Sequence, residues 1–166
     1  MDRDRIPEGI HGAVPLTIRR ALPSEAAALT SLVLRSKAHW GYDEAFMHAA
    51  IPELTITPAL LETMTAFVAE RDDGLLGFYV LGPEDGVPTL RDMWVEPSAM
   101  RTGVGRALWG HLLEQARALG HRTLHIESDP NAEAFYVKMG ARRVGQVASK
   151  IMPGRMLPSM EVEVEG

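Results

Sequence analysis

The sequence contains no cysteine, which excludes disulfides, thiolate metal sites and a cysteine nucleophile together. It has no run approaching the ~18 apolar residues of a membrane span. Residues 1–15 hold charges, two prolines and two glycines where a secretory leader would need an apolar centre. The expectation is therefore a cytoplasmic protein with no membrane partner. The pattern G-x-x-x-x-G-K-[ST] is also missing, so nucleoside triphosphate chemistry lacks its lysine and its magnesium-binding hydroxyl. Six histidines are present, but His39, His48 and His111 fall on separate segments, His121 and His125 flank a strand start, and no H-E-x-x-H spacing occurs. No metal is expected. Basic residues do not dominate: a net charge of -5 argues against a nucleic-acid partner, which would need clustered Lys and Arg to displace counterions.

What is present is the composition of an ordinary globular protein, 46% hydrophobic and 23% charged over 166 residues, enough for one domain. Residues 1–15 have no periodicity and read as a flexible tail; 16–166 read as a single domain. Leu16 to Arg20 alternates like a strand, Pro23-Ser24 opens a helix with Ala26, Leu29, Leu32 and Val33 on its buried face, and Ser36 to Tyr42 reads as a polar and aromatic break. Asp43 caps a second helix that Pro52 should stop, and Thr57-Pro58 starts a third short piece. Ala66 to Arg71, a turn at Asp73-Gly74, Leu75 to Leu81, a turn at Gly82 to Gly86 and Thr89 to Val95 then read as three antiparallel strands. A helix from Gly103 to Leu119 closed by Gly120, a strand Thr123 to Glu127, a helix Asn131 to Met139 closed by Gly140, and two strands follow; Pro153 and Pro158 make Ile151 to Pro158 a loop. The fold class is mixed α/β, with a mainly antiparallel central sheet flanked by helices.

Met100-Arg-Thr-Gly-Val-Gly105 separates a strand from a helix whose Val104, Leu108, Leu112, Gln115, Ala116 and Leu119 share helical spacing. Unpaired N–H groups and the dipole at such a terminus attract anions, and glycines at 103 and 105 remove side chains that would block a phosphate. A dinucleotide-binding turn is the rival, because Glu127 stands roughly 20 residues on, where a ribose-binding acid belongs. Leu108 at the third glycine position, the long Pro97-containing connection and the antiparallel hairpins before it count against that rival.

Asp92-Met-Trp-Val-Glu-Pro followed by Met-Arg-Thr-Gly-Val-Gly-Arg-Ala-Leu108 resembles the acetyl-CoA motif of the GCN5-related N-acetyltransferases, Q/R-x-x-G-x-G/A, with Met100 in place of Gln or Arg. Asn131-Ala-Glu-Ala-Phe-Tyr-Val-Lys-Met-Gly140 resembles the same family's downstream helix, with Phe135 and Tyr136 as the aromatic pair and Ala141 replacing the usual aromatic residue after the glycine. The resemblance implies a GNAT-like acyl-CoA N-acyltransferase fold with acetyl-CoA as co-substrate. It places the cofactor on Trp94, Val95, Arg101, Thr102, Gly103, Val104, Gly105, Arg106, Ala107, Asn131 and Lys138, chiefly through main-chain amides. A backbone N–H at the Trp94-Val95 strand end, splayed from its neighbour, would hold the oxyanion.

Acetyl transfer to an amine needs a proton acceptor, since an alkylammonium has a pKa of about 10.4. Glu127, at its strand end, is the expected base and matches the base position of the ribosomal-protein alanine acetyltransferases in this family; Asp92, Asp129 and a bound water are rivals. Tyr136 is the expected acid for the departing thiolate, and Asn131 serves as helix cap, cofactor contact or both. His39, Trp40 and Tyr42 can line an acceptor pocket or simply pack, and Arg155 can meet an acceptor carboxylate or solvent. The expectation is an enzyme acetylating a primary amine of a small molecule. A protein or peptide amine is the alternative, and a non-catalytic acyl-CoA sensor is the alternative of another class. A homodimer is compatible with either.

Overall fold

The computed structural model describes residues 14–72 and 74–164. The expected tail thus falls mostly outside the described residues; Val14, just inside them, accepts a hydrogen bond through its carbonyl from Arg71 Nε at 2.9 Å.

The elements run β1 (Thr17–Arg20), α1 (Ala26–Ala38), α2 (Glu44–Leu54), α3 (Pro58–Thr63), β2 (Thr65–Arg71), β3 (Gly74–Glu84), β4 (Val87–Val95), α4 (Val104–Ala118), β5 (Thr123–Glu127), α5 (Glu133–Lys138), β6 (Arg142–Ala148) and β7 (Met156–Glu163). The strands form one sheet in the order β1-β2-β3-β4-β5-β7-β6. All neighbours are antiparallel except β4 and β5, as a mixed, mainly antiparallel sheet requires.

Alternation along the strands feeds a core on each face. Val68, Phe78 and Val80 join Leu29, Leu32, Val33, Phe46 and Ala50 from α1 and α2. Tyr79 and Leu81 join Val104, Leu108, Leu112 and Ala116 from α4. Helix α4 lies close on β3 because Gly77 has no side chain: a Cβ there would stand 2.8 Å from the Trp94 carbonyl oxygen and 3.0 Å from Leu108. Caps form at the expected residues, with Asp43 accepting from the Phe46 amide and Thr57 from the Leu60 amide.

Several boundaries differ from the sequence reading. Helix α1 continues through Ser36, Lys37 and Ala38, because Ser36 and Lys37 are buried and tertiary partners outweigh their local polarity. Helix α2 passes through Pro52 and ends two residues later, at Leu54; Ile51, Pro52 and Glu53 face solvent, so water can satisfy the carbonyl the proline leaves free. Arg71 pairs with Gly74, which belongs to β3 rather than to the turn; Asp73 lies outside the described residues. The next turn narrows to Asp85 and Gly86, with φ 52 and 80, the paired positive values of a two-residue hairpin. Leu119 is exposed at the end of α4, and Pro158 sits within β7. The expected Asn131 helix is a short 3-10 turn, Pro130–Ala132, that leads into α5.

Two irregularities in β4 shape everything that follows. Val80 faces Asp92 while Leu81 faces Leu90, so Arg91 is an extra residue, a bulge that shifts the alternation by one. Leu90, Met93 and Val95 therefore serve the α4 face, and Trp94 packs on the α1–α2 face. Secondly, β4 and β5 pair only at Thr89 with His125 and Leu90 with Ile126. Beyond those pairs the two parallel strands part.

Candidate active site

Gly103 stands at the N-cap of α4 with φ 94, and no side chain caps the helix. That left-handed conformation favours glycine. The first intrahelical bond at this end runs from the Ala107 amide to the Gly103 carbonyl, and the amides ahead of it have no intrahelical acceptor. No acidic residue lies in the first turn, and Arg101 and Arg106 flank it in exposed positions. The turn is held from within: Arg101 has φ 64, and the Thr102 hydroxyl donates to the Ala99 carbonyl.

The two glycines have separate tasks. A Cβ on Gly103 would meet nothing within 4 Å, whereas one on Gly105 would stand 3.3 Å from the Phe135 ring. Gly105 thus lets α5 pack against the first turn of α4. Val104 is buried, so only its main chain faces the helix end. Ala107 is half-buried, and Lys138 is exposed on α5.

The gap between β4 and β5 opens beside this helix end. Glu96 N–H donates to the Leu76 carbonyl at 2.8 Å, on the β3 side. Successive amides of an extended strand point to opposite edges, which turns the Val95 N–H the other way, toward the gap, and the Trp94 N–H toward β3.

Tyr136 is buried on α5, with ring centroids 5.8 Å from Trp109 and 5.4 Å from Phe135. Burial, and then the charges of Asp92 and Asp129, push its phenol well above its usual value; it stays protonated at neutral pH. Asp92 and Glu127 line one cavity of about 360 Å³ together with Lys37, Trp94, Asp129 and Arg155. Burial lifts the Asp92 carboxyl to about 6 against the Trp94 hydrogen bond, whose indole Nε1 donates to Asp92 Oδ1 at 3.0 Å. Glu127 is more open, with 37% of its side chain exposed, and His125 Nε2 lies 3.9 Å away.

Asp129 is the hub of the far wall. It bonds the ammonium of Lys37 and accepts from the Tyr42 hydroxyl at 2.9 Å and the Asn131 amide at 2.7 Å. Arg155 Nη2 lies 3.8 Å from it. Burial opposes its charge, yet the Lys37 and Asn131 bonds hold its carboxyl below the usual range. Burial pulls the Lys37 ammonium down in spite of Asp129, and burial with Asp129 pushes Tyr42 up to about 12. Asn131 does not cap α5: Asp129 caps the 3-10 turn, while Asn131 Nδ2 donates to Tyr42 and Asp129. Tyr42 and Arg155 are brought together by a hydrogen bond between them.

His39 and Trp40 contact each other edge-on at 5.1 Å and are absent from the cavity wall; Trp40 is 44% exposed. Lys37 escaped the sequence reading because its segment was read as a break, although its i+4 spacing from the buried Val33 was a usable signal. Among the described residues no group of three or more His, Asp or Glu side chains is placed to hold a metal ion, and no helix is long and apolar enough to cross a membrane.

The fold is shared with solved structures. A GCN5-related N-acetyltransferase from Rhodopseudomonas palustris superposes with a TM-score of 0.73 at 23% identity, covering 89% of this chain and 94% of that one. The PaiA N-acetyltransferase from Thermoplasma acidophilum, in complex with coenzyme A, gives 0.73 at 16% identity over 90% and 99%. The ribosomal-protein-S18-alanine N-acetyltransferase from Escherichia coli gives 0.67 at 19% over 92% and 96%. No curated protein matches the sequence. The family model for the acetyltransferase (GNAT) family matches residues 30–141, which span the uncapped start of α4, the strand gap and Tyr136; the chain belongs to the GNAT family of acetyltransferases.

Proposed function

We propose that residues 16–166 form one catalytic domain that transfers an acetyl group from acetyl-CoA to a primary amine of a small molecule. The observation that carries this reading is the juxtaposition of an uncapped α4 N-terminus with a strand gap that leads to a cavity lined by Asp92 and Glu127. The coenzyme A complex of the PaiA relative supports the assignment of the seat.

The main-chain amides from Gly103 to Arg106 bind the pyrophosphate, with Arg101, Arg106 and Lys138 adding charge at the rim. The thioester supplies an activated acyl group when bound. Val95 N–H, aimed into the gap, holds its carbonyl oxygen. Glu127, at the open edge of the cavity, meets the incoming ammonium and is the first proton acceptor. Asp92, deeper and poised at about 6, is ionised at neutral pH and takes the proton inward. Tyr136 keeps its proton until sulfur needs it. A cavity of about 360 Å³ is the size of a small-molecule site, which is what supports a small acceptor over a protein terminus.

The test is release of free thiol from acetyl-CoA with a panel of amines and peptides, alongside calorimetry of coenzyme A binding. Binding with turnover on small amines supports the reading. Turnover on peptides alone moves the acceptor to proteins, binding without turnover on any acceptor indicates a sensor, and no binding removes the proposal.

A further inference from the structure

At its open end the sheet is two pieces. Strands β1 to β4 form one and β5, β7 and β6 the other. Among the described residues they meet in two pairs alone, Thr89 with His125 and Leu90 with Ile126. Beyond Leu90 no ladder bond sets how far the Val95 amide stands from the segment that carries Tyr136. The proposed reaction depends on that separation, because a misplacement of about 1 Å can cost about a hundredfold in rate. Side chains must fix it instead.

On the α4 face the tie is Phe135 of α5 packed against Gly105. On the other face it is the last turn of α1. Arg35 Nε and Nη2 donate to the two oxygens of Glu96 at 2.8 and 2.9 Å, a planar fork on a planar carboxylate that fixes direction as well as distance. Glu96 directly follows Val95, and its amide is bonded to the Leu76 carbonyl, so the fork pins the end of α1 to the tip of β4. Lys37, two residues on, crosses the gap to Asp129, which caps the turn that leads into α5. Residues i and i+2 project about 200° apart around a helix, so these side chains leave α1 in opposite directions, one to each side of the opening. The Arg35 side chain is 54% exposed; core packing does not account for its place.

Resting on the acetyl-transfer reading above, we infer that Arg35 is a positioning residue: it locks the last turn of α1 to the tip of β4, so that the Lys37–Asp129 bond holds the Val95 amide and Tyr136 at the separation the reaction needs. A surface ion pair with no such task changes stability slightly and nothing else. A pair that sets the gap acts on the transition state, where oxyanion donor and acid must both be in place, and lowers kcat and kcat/KM together. Coenzyme A binding at the start of α4 lies outside the clamp and is spared.

The full chain is compared as wild type, Arg35→Ala, Glu96→Ala and the double variant, with thiol release from acetyl-CoA measured on the best acceptor of the amine panel. Because the chain has no native cysteine, spin labels on Ser98→Cys and Ala134→Cys, exposed positions on either side of the gap, report its width in each background. The expected result for each single variant is a loss of about three- to fivefold in kcat, the most an exposed pair can shift an equilibrium, with a broader label-to-label distance distribution. KM for acetyl-CoA and calorimetric Kd for coenzyme A should stay within about twofold, and Tm within about 4 °C. The double variant should be no worse than either single, since all three remove one contact. An unchanged kcat in Arg35→Ala, an unaltered label distribution, a loss carried by coenzyme A affinity, or a double variant that multiplies the single losses overturns the inference. If wild type releases no thiol with any acceptor, the acetyl-transfer reading falls instead and the labels alone decide: a distribution that widens in Arg35→Ala upholds the clamp, and one that does not refutes it.

Discussion

Replacing Asp92 by Asn should make the protein more stable and less active. Burial lifts this carboxyl from 3.8 to about 6, so the folded state binds its proton more tightly than the unfolded chain does. Between about pH 4 and pH 6 the native protein therefore holds more protons than the unfolded one, and stability falls as pH rises through that window. A shift of about two units at 1.36 kcal/mol each puts the cost of the buried charge near 3 kcal/mol at pH 7. Asn carries no charge and can still accept the Trp94 indole hydrogen through its side-chain oxygen. At 2–4 °C per kcal/mol for a chain of this size, Tm should rise by about 6 °C or more at pH 7. The gain should shrink toward zero below about pH 4, where aspartate is protonated in both states. In the same variant, turnover should drop about a hundredfold at pH 8, and the acid limb that the Asp92 carboxyl predicts for wild type below about pH 6 should be missing. Coenzyme A affinity should not change. Thermal melts from pH 4 to 8 and a pH–rate profile test both halves. An unchanged or lowered Tm at pH 7, or a gain that is the same at pH 4, would refute the buried-charge argument; an unaltered acid limb would remove Asp92 from proton transfer.

Tyr136→Phe keeps the ring that packs on Trp109 and Phe135 and removes the phenol proton, so kcat for thiol release should fall about a hundredfold while calorimetric coenzyme A affinity stays the same. Gly103→Ala meets no protein atom within 4 Å but strains a residue at φ 94 by about 1–2 kcal/mol; calorimetry should show at least a tenfold loss of coenzyme A affinity, with Tm down by a few degrees. Asp129→Asn leaves Lys37 and Arg155 buried without an anion, and denaturant titration should show a loss of about 3 kcal/mol.

The order of elements was legible because each rests on local signals: helical periodicity from Ala26 to Val33 and from Val104 to Ala116, the Asp43 and Thr57 caps, and glycines after α4 and α5. The uncapped glycine turn ahead of α4 was legible for the same reason, since a strand, a Gly103 turn and an amphipathic helix are contiguous in sequence. Where the reading failed, the cause was tertiary. The polar stretch from Ser36 looks like a break until Asp129, ninety-two positions from Lys37, supplies that lysine with a partner that keeps the helix going. Pro52 stays in a helix because its free carbonyl partner faces water. Asn131 yields the cap to Asp129, because a 3-10 turn moves the capping position back by two residues. His39 and Trp40 were grouped with Tyr42 by proximity in sequence, but the end of α1 separates them, and only Tyr42 reaches the Asp129 network.

The bulge at Arg91 is the feature that no local signal announces, and it decides the site. Unbroken alternation from Leu90 would carry Asp92 and Trp94 to the same face as Leu90, beneath α4, where a carboxylate would face Leu108 and Leu112 with no cavity to open into. One inserted residue moves Asp92 and Trp94 to the α1–α2 side and lets Met93 and Val95 keep the α4 core filled. The parting of β4 from β5 begins immediately after Leu90, at the bulge, because strand twist increases there and the parallel ladder cannot follow it. A single irregularity thereby does two things at once: it leaves the Val95 amide directed into the gap and turns Asp92 into the cavity, where its charge acts on the Tyr136 phenol together with that of Asp129. Regular pairing of β4 with β5 through Val95 would satisfy more backbone hydrogen bonds and bury more apolar surface, but it would close the gap in which the proposed mechanism brings thioester and amine together.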